Sequence, residues 1–499
     1  MEFVFPIRSG CAELSFLKPL FPSHRPRPTP TTEAPDHAKR HDTAVISDHS
    51  LSPRPHPPRS ARKKMPIPFL IHAYNYGLPE WFPDPWKLAG VTGAVGALAI
   101  TKRYFNGALN LTERNMHGRV VMMTGGTSGV GGAAALELAR RGAQLVLLTQ
   151  LPASDPFLAE YVDDLRARTE NQLIYAEQVD LADLHSVRQF ATRWIDNAPP
   201  RRLDMIVLCA ATLTPPGGAR EETPEGVELT WMVNYLANYH LLAILSPAIK
   251  AQPFDRDVRV IISTCSSYIR SPPLRDAQAH ALDKKGWSPA AAYASSKLAL
   301  MTFGQAFQKH LDTYKRPDGL PMNAKVVFVD PGFARTPGMR RWITRGSLWG
   351  LFIYLISYFL SWVFLKSPFM AAQSILFGAW DGSVIRDPGG KIFKECIEVD
   401  CARTDIKDEE VAKKLWESSD KLVETVEKQA ALKRAQEKKA REDKEKSEKA
   451  EKERKQRAEE IEALVDTIKK GKAKEKEKEK EADKKTKYRK AKFGHKAVQ

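Results

Sequence analysis

Apolar and polar positions follow two rhythms along this chain. From Gly118 onward, short apolar runs of strand length alternate with longer stretches of helical spacing. RVVMMTGG, QLVLL, the middle of QLIYAEQVDL, LDMIVLCAA, VRVIISTCSS and AKVVFVDPG read as strands. GGAAALELARRGA, VELTWMVNYLANYHLLAILSPAI and AAYASSKLALMTFGQAFQKHL read as helices. Strands that are apolar throughout are buried on both faces. The pattern therefore predicts an α/β fold, a doubly wound parallel sheet with right-handed crossovers.

Two stretches break the rhythm. Ser347 to Leu365 is 19 uncharged residues, flanked by Arg340, Arg341, Arg345 and Lys366. That is long enough for a span of about 30 Å of hydrocarbon. A true span would strand the following strand and helix across the bilayer. A helix or hairpin lying in one leaflet keeps both halves on one side, and is the preferred expectation. The second stretch, Trp86 to Phe105, has an uncharged part from Leu88 to Thr101, short of the roughly 20 residues an untilted span needs. It reads equally as a membrane-associated segment with Trp81, Trp86 and Tyr104 at the interface, or as a Gly/Ala-rich helix packed on the domain.

Composition shifts then divide the chain. Residues 1–64 are Pro-, Ser- and Arg-rich and are expected to be disordered. Met65 is a candidate working start. Residues 65–117 hold the possible membrane-associated segment, 118–426 the α/β domain with its apolar insertion 347–365, and 427–499 a Lys/Glu-rich tail. Ile461, Leu464, Val465 and Ile468 form too short a stripe for a coiled coil, so the tail reads as charged helix or disorder. The net charge of +17 belongs to the tails and the flanks of apolar segments. It reads as solvated flank before binding site, with anionic lipid headgroups as the alternative and no nucleic acid expected. The five cysteines, Cys11, Cys209, Cys265, Cys396 and Cys401, show neither paired framework nor zinc spacing, and no metal is expected.

The candidate chemistry starts with TGGTSGVG, Thr124 to Gly131, between a strand and a helix. Gly125, Gly129 and Gly131 remove Cβ atoms where a backbone must turn sharply and approach a pyrophosphate, with a helix N-terminus behind. Asp180 ends the third strand, as a partner for an adenine amino group or as a helix cap. In YASSK, Tyr293 and Lys297 stand four apart on a helix, a phenol beside an ammonium that would lower its pKa.

The order of these motifs resembles the short-chain dehydrogenase/reductase family over roughly Gly118 to Val426, which implies a Rossmann-like fold. SPFMAAQSILFGAWD, GGKIFKEC and KKLWESSDKLVE are similar to its retinol-dehydrogenase-like branch, and SSY…YASSK with the apolar run is most similar to fungal lipid-droplet oxidoreductases. The resemblance implies Tyr293 as acid/base, Lys297 as the residue that holds the nicotinamide ribose and tunes Tyr293, and Asn234 as the holder of a relay water. It implies cofactor contacts at Gly125, Thr127, Ser128, Gly129, Val130, Gly131, Asp180, Tyr293, Lys297, Ala334 and Thr336. Aligning the paired serines picks Ser267 as the oxygen-orienting residue, with Ser266 beside it; counting from Arg259 without a gap lands on Cys265. Gln150 stands where the family has a basic residue for a 2′-phosphate, so NADP is implied by the branch and NAD stays open. The family's Asn-Asn-Ala-Gly is Leu208-Cys209-Ala210-Ala211 here. The expected function is an NAD(P)-dependent oxidoreductase acting on a lipophilic alcohol or carbonyl at the cytosolic face of an endoplasmic reticulum membrane or a lipid droplet. The alternative is a lipid-surface scaffold on a retained dehydrogenase fold.

Overall fold

A computed structural model of the protein describes residue Ile71 and residues 74–77 and 84–494. The expected disorder of 1–64, the start at Met65 and an interfacial Trp81 lie outside the described residues. Residues 84–494 belong to one unit.

The strands are β1 (Val120–Thr124), β2 (Gln144–Thr149), β3 (Ile174–Gln178), β4 (Met205–Leu208), β5 (Val258–Ser263), β6 (Ala324–Asp330), β7 (Lys391–Lys394) and β8 (Ile397–Val399). They lie in one sheet in the order β3-β2-β1-β4-β5-β6-β7-β8. Every pair is parallel except β7 with β8. The reversal of strand order beside β1 opens a crevice at the carboxyl ends of β1 and β4, where such sheets bind ligands. β1, β4 and β5 are buried along their whole length, which is why their sequences lack alternation. β7 and β8 escaped the sequence reading because they are only four and three residues long and half charged.

Helices α1 (Pro85–Asn106), α2 (Gly129–Arg140), α3 (Pro156–Thr169), α4 (Leu184–Ile195), α5 (Ala237–Lys250), α6 (Pro289–Asp312), α7 (Leu348–Ile356), α8 (Tyr358–Phe364), α9 (Pro368–Trp380) and α10 (Glu409–Gly494) follow in chain order. On one face of the sheet, Phe190 and Trp194 of α4, Leu241 of α5, Phe303 of α6 and Leu415 of α10 share a core. On the other, Leu138 of α2, Val162 of α3 and Ile375 of α9 share a second. The long helix expected around Asn234 is not uniform. Met232–Leu236 forms a π-helical turn ahead of α5. The Asn238 amide donates to the carbonyls of Val233 (3.2 Å) and Asn234 (3.1 Å), satisfying oxygens that the widened turn frees.

The apolar run 347–365 is not one helix. It breaks at Ser357 into α7 and α8, nine and seven residues long. Among the described residues no helix is long and apolar enough to cross a membrane. The insertion leaves and returns at one point: Lys366 N–H donates to Phe333 O and Arg335 N–H to Lys366 O, both at 2.9 Å. Lys366, buried, holds Glu395 at 2.7 Å beneath this pinch. α1 joins the same region: Phe105 meets Phe364 edge to face at 5.1 Å, and Lys102 caps α8 by donating to the carbonyls of Trp362 and Leu365. Leu348, Trp349, Ile353 and Leu355 of α7 remain exposed, as do Trp86, Val95 and Ile100 of α1.

α10 is continuous through 86 residues. Leu415, Leu422, Val423 and Val426 are buried on the domain, and burial ends there. The 426/427 boundary therefore falls inside a helix, at the point where it leaves the core.

Candidate active site

One cleft of about 2290 Å³ runs from the glycine loop, past the ends of β4, β5 and β6, to the apolar side chains of α1 and α8. Its first part is the turn from β1 into α2. Gly125 has φ +68°, and a Cβ there would lie 2.7 Å from Ala210 N. A Cβ on Gly131 would lie 2.2 Å from Gly125 O. Only glycine fits either place, so the loop folds tightly over the start of α2. Ser128, the N-cap, makes no side-chain cap bond, which leaves the first-turn amides of the cleft-lining Gly129, Val130 and Gly131 uncapped by it. A dinucleotide pyrophosphate fits this cradle. Ser128, Gly129, Val130 and Gly131 line the cleft with Gly125; Thr127 is not among its lining residues.

Ala334 and Thr336 line the opposite wall. Thr336 Cγ2 would be 3.2 Å from a Cβ on Gly129, and its Oγ1 accepts from Met339 N–H at 3.2 Å. Asp180 lies outside the lining residues. Its carboxylate accepts from Gln150 Nε2 (3.1 Å) and from Ala182 N–H (2.8 Å). Gln150 is thus tied to the residue expected to meet adenine.

α6 carries Tyr293 and Lys297 into the middle of the cleft. Ser288 starts this helix by accepting from Ala291 N–H, with Pro289 behind it. Lys297 is only 4 % exposed, and its Nζ donates to Ser263 O at 3.1 Å. Burial lowers its pKa. It stands over the Tyr293 ring, 5.7 Å from the centroid. The expectation that the ammonium lowers the phenol's pKa is not met in this arrangement. Burial, and then the nearby Cys265, Asp330 and Cys209, hold the phenol well above its ordinary value. Burial of the phenol dominates, while the ammonium bonds the carbonyl of Ser263.

The strand end of β5 separates the three candidates beside Tyr293. Ser266 Oγ donates to Asp330 Oδ2 at 2.7 Å and accepts from Lys394 at 3.2 Å. Ser267 Oγ is 2.7 Å from Cys265 Sγ. The Tyr293 hydroxyl has Cys265 Sγ beside it at 3.7 Å. Sequence reading passed over Asp330, Lys394 and the direct contact of Cys265; the ungapped count along β5 was the one signal for the last. Asn234 is fully buried and does not line the cleft. Its side chain accepts from Thr212 N–H (2.8 Å) and donates to Thr212 O (3.0 Å) and Ser296 Oγ (3.1 Å). It braces the loop after β4, where Thr124 Oγ1 also accepts from the amides of Cys209 and Ala210, each at 3.2 Å. Among the described residues no group of side chains could hold a metal ion.

The cleft thus joins a phosphate cradle, a buried Tyr–Lys pair and an apolar mouth. Residues 119–345 match the short chain dehydrogenase family. The chain is 40 % identical over 378 residues to an uncharacterized oxidoreductase, pbr1, of Schizosaccharomyces pombe, across 75 % of this chain and all of that one. It is 30 % identical to retinol dehydrogenase 13 of Mus musculus, across 66 % of this chain and 91 % of that one. It is also 30 % identical to the mouse polyprenol dehydrogenase, across 60 % of this chain and 82 % of that one. A tight glycine turn, a Tyr–Lys pair one helical turn apart and relatives of nearly full length agree: the chain belongs to the short-chain dehydrogenase family and is an oxidoreductase.

Proposed function

We propose that the protein transfers hydride between NADP(H) and a lipophilic alcohol or carbonyl compound drawn from a membrane or lipid-droplet surface. The observation that carries this reading is the continuity of the cleft. Gly125, Tyr293 and Lys297 share it with Val95, Phe105, Trp362 and Phe364 of the apolar rim. A substrate that reaches Tyr293 through that rim passes between apolar side chains. The names of the retinol and polyprenol dehydrogenase relatives support a lipophilic substrate.

Bound at the glycine cradle, the nicotinamide supplies or accepts the hydride. The glycine loop and the first turn of α2 would hold the pyrophosphate, and Ala334 and Thr336 would contact the nicotinamide. Tyr293 exchanges the proton with the substrate oxygen. Its raised pKa keeps the phenol protonated at neutral pH, which suits proton donation during carbonyl reduction. Lys297 anchors the ribose side and holds the phenol's orientation. Ser267, through its contact with Cys265, belongs to the group that orients the oxygen. Asn234 fixes the loop after β4 that forms one wall.

The lipid surface is read from the rim. Residues 331–380 contain no Asp or Glu, and Arg340, Arg341 and Arg345 are exposed there. Exposed apolar side chains ringed by cations suit an interfacial anchor facing anionic headgroups. The pinch at Lys366 lets the insertion dip into one leaflet while both flanks stay on one side.

The test is oxidation of NADPH and of NADH by purified protein with long-chain aldehydes and ketones presented in vesicles. NADPH turnover that drops by about 10²–10⁴ in Tyr293→Phe, with cofactor binding kept, is expected. Cofactor binding without turnover of any lipid carbonyl would favour the scaffold reading instead.

A further inference from the structure

We infer that Cys265, and not a serine, is the side chain that touches the substrate oxygen beside Tyr293. The inference rests on the oxidoreductase reading above and deepens it at one position. β5 ends at Ser263, in register with Val329 of β6. Thr264 continues the ladder, donating its N–H to Val329 O at 2.8 Å, and Cys265 stays extended with φ −157° and ψ 158°. In an extended chain alternate side chains share a face. Thr264 is buried with its hydroxyl on Met301 Sδ, and Cys265 turns the other way, toward the Tyr293 hydroxyl.

The three candidates have separate employments. Ser266 is occupied by Asp330 and Lys394. Ser267 sits two residues further on, at the start of a 3₁₀ turn, and its hydroxyl contacts Cys265 Sγ. Cys265 Sγ is the atom of the three next to the Tyr293 hydroxyl. An oxygen that receives the phenol proton must lie within about 3 Å of that hydroxyl. In this cleft such an oxygen also falls beside the sulfur, with Ser267 behind it. The thiol forms no covalent bond in this role. It donates weakly to the oxygen while Tyr293 delivers the proton and the hydride adds to carbon. A thiol is a weaker donor than a hydroxyl and a softer, larger contact. The site therefore relies more on Tyr293 than a serine-bearing site would.

The experiment compares Cys265→Ala, Cys265→Ser and Ser267→Ala in the full chain, measuring NADPH affinity by fluorescence and single-turnover hydride transfer to a vesicle-borne aldehyde. Expected is a loss of about ten-fold in the transfer rate for Cys265→Ala, with NADPH affinity unchanged and the loss recovered in Cys265→Ser, since a weak donor contributes less than the 10²–10³ of a strong one. A Cys265→Ala rate equal to that of the parent protein, a loss not recovered by serine, or a larger loss in Ser267→Ala than in Cys265→Ala would each overturn the assignment. Tyr293→Phe run alongside separates the two readings. If it too retains full transfer, the oxidoreductase reading of the cleft fails; if it alone is dead, only the role of Cys265 does.

Discussion

Lys297 shows what a single residue can reveal before and after folding. Its spacing from Tyr293 is local, fixed by one helical turn, and so was legible in the sequence. Its burial and its bond to Ser263 O depend on β5, which is distant in sequence. A buried ammonium with a carbonyl partner costs stability that an apolar isostere would not. Lys297→Met is therefore expected to keep or raise the melting temperature while lowering turnover by at least about 100-fold; calorimetry beside NADPH kinetics checks both. His280 gives a pH dependence. Its ring stacks on Trp231 with centroids 4.8 Å apart, and Nε2 accepts from Arg275 N–H at 3.1 Å. Burial, and then the charge of Arg275, lowers its pKa below 6.5. The unfolded chain then binds the proton first, so this contribution leaves stability unchanged above about pH 6.5 and is lost as pH falls below it toward the folded value. Urea midpoints at about pH 7.5 and pH 5.5 should differ less in His280→Gln than in the parent protein.

At the scale of elements, the glycine turn and the apolar insertion behave differently. The turn was readable because Gly-rich loops between a strand and a helix have few other uses. Gly131→Ala would drive a Cβ to 2.2 Å from Gly125 O, a backbone atom with no soft way to yield. Loss of NADPH binding together with a lowered melting temperature is expected, checked by cofactor fluorescence and circular dichroism. The insertion was legible as greasy, with a helix or hairpin expected, but its break at Ser357 was not. Ser357 lies between α7 and α8, where its hydroxyl donates to Ile353 O. Nothing in the run itself says that its two ends meet at Ala334 and Lys366. Replacing Trp349, Ile353 and Leu355 by serine removes exposed apolar surface and leaves the core untouched. Vesicle flotation of this variant should fall several-fold with its melting temperature unchanged.

At the scale of the molecule, α10 divides into a part that completes the domain and a part that leaves it. Tyr235 shares a hydrogen bond with Ser419 at 2.7 Å, and Trp416 packs on Tyr239 and Phe303. Leu415→Ala opens a cavity in this core and is expected to cost about 2–5 kcal/mol in denaturant titrations.

The order of β1 to β6, the glycine turn, the Tyr–Lys pair and the membrane-grade composition of 347–365 were all determined by the sequence itself. Each depends on neighbours within a few residues, so local propensity and periodicity suffice to specify it. Tertiary structure decided the rest: which of Cys265, Ser266 and Ser267 meets the phenol, where the Lys297 ammonium points, that Asn234 braces a loop, and that the apolar run folds back on its own base. Those outcomes depend on register between strands far apart in the chain, where a shift of one residue turns every side chain to the opposite face.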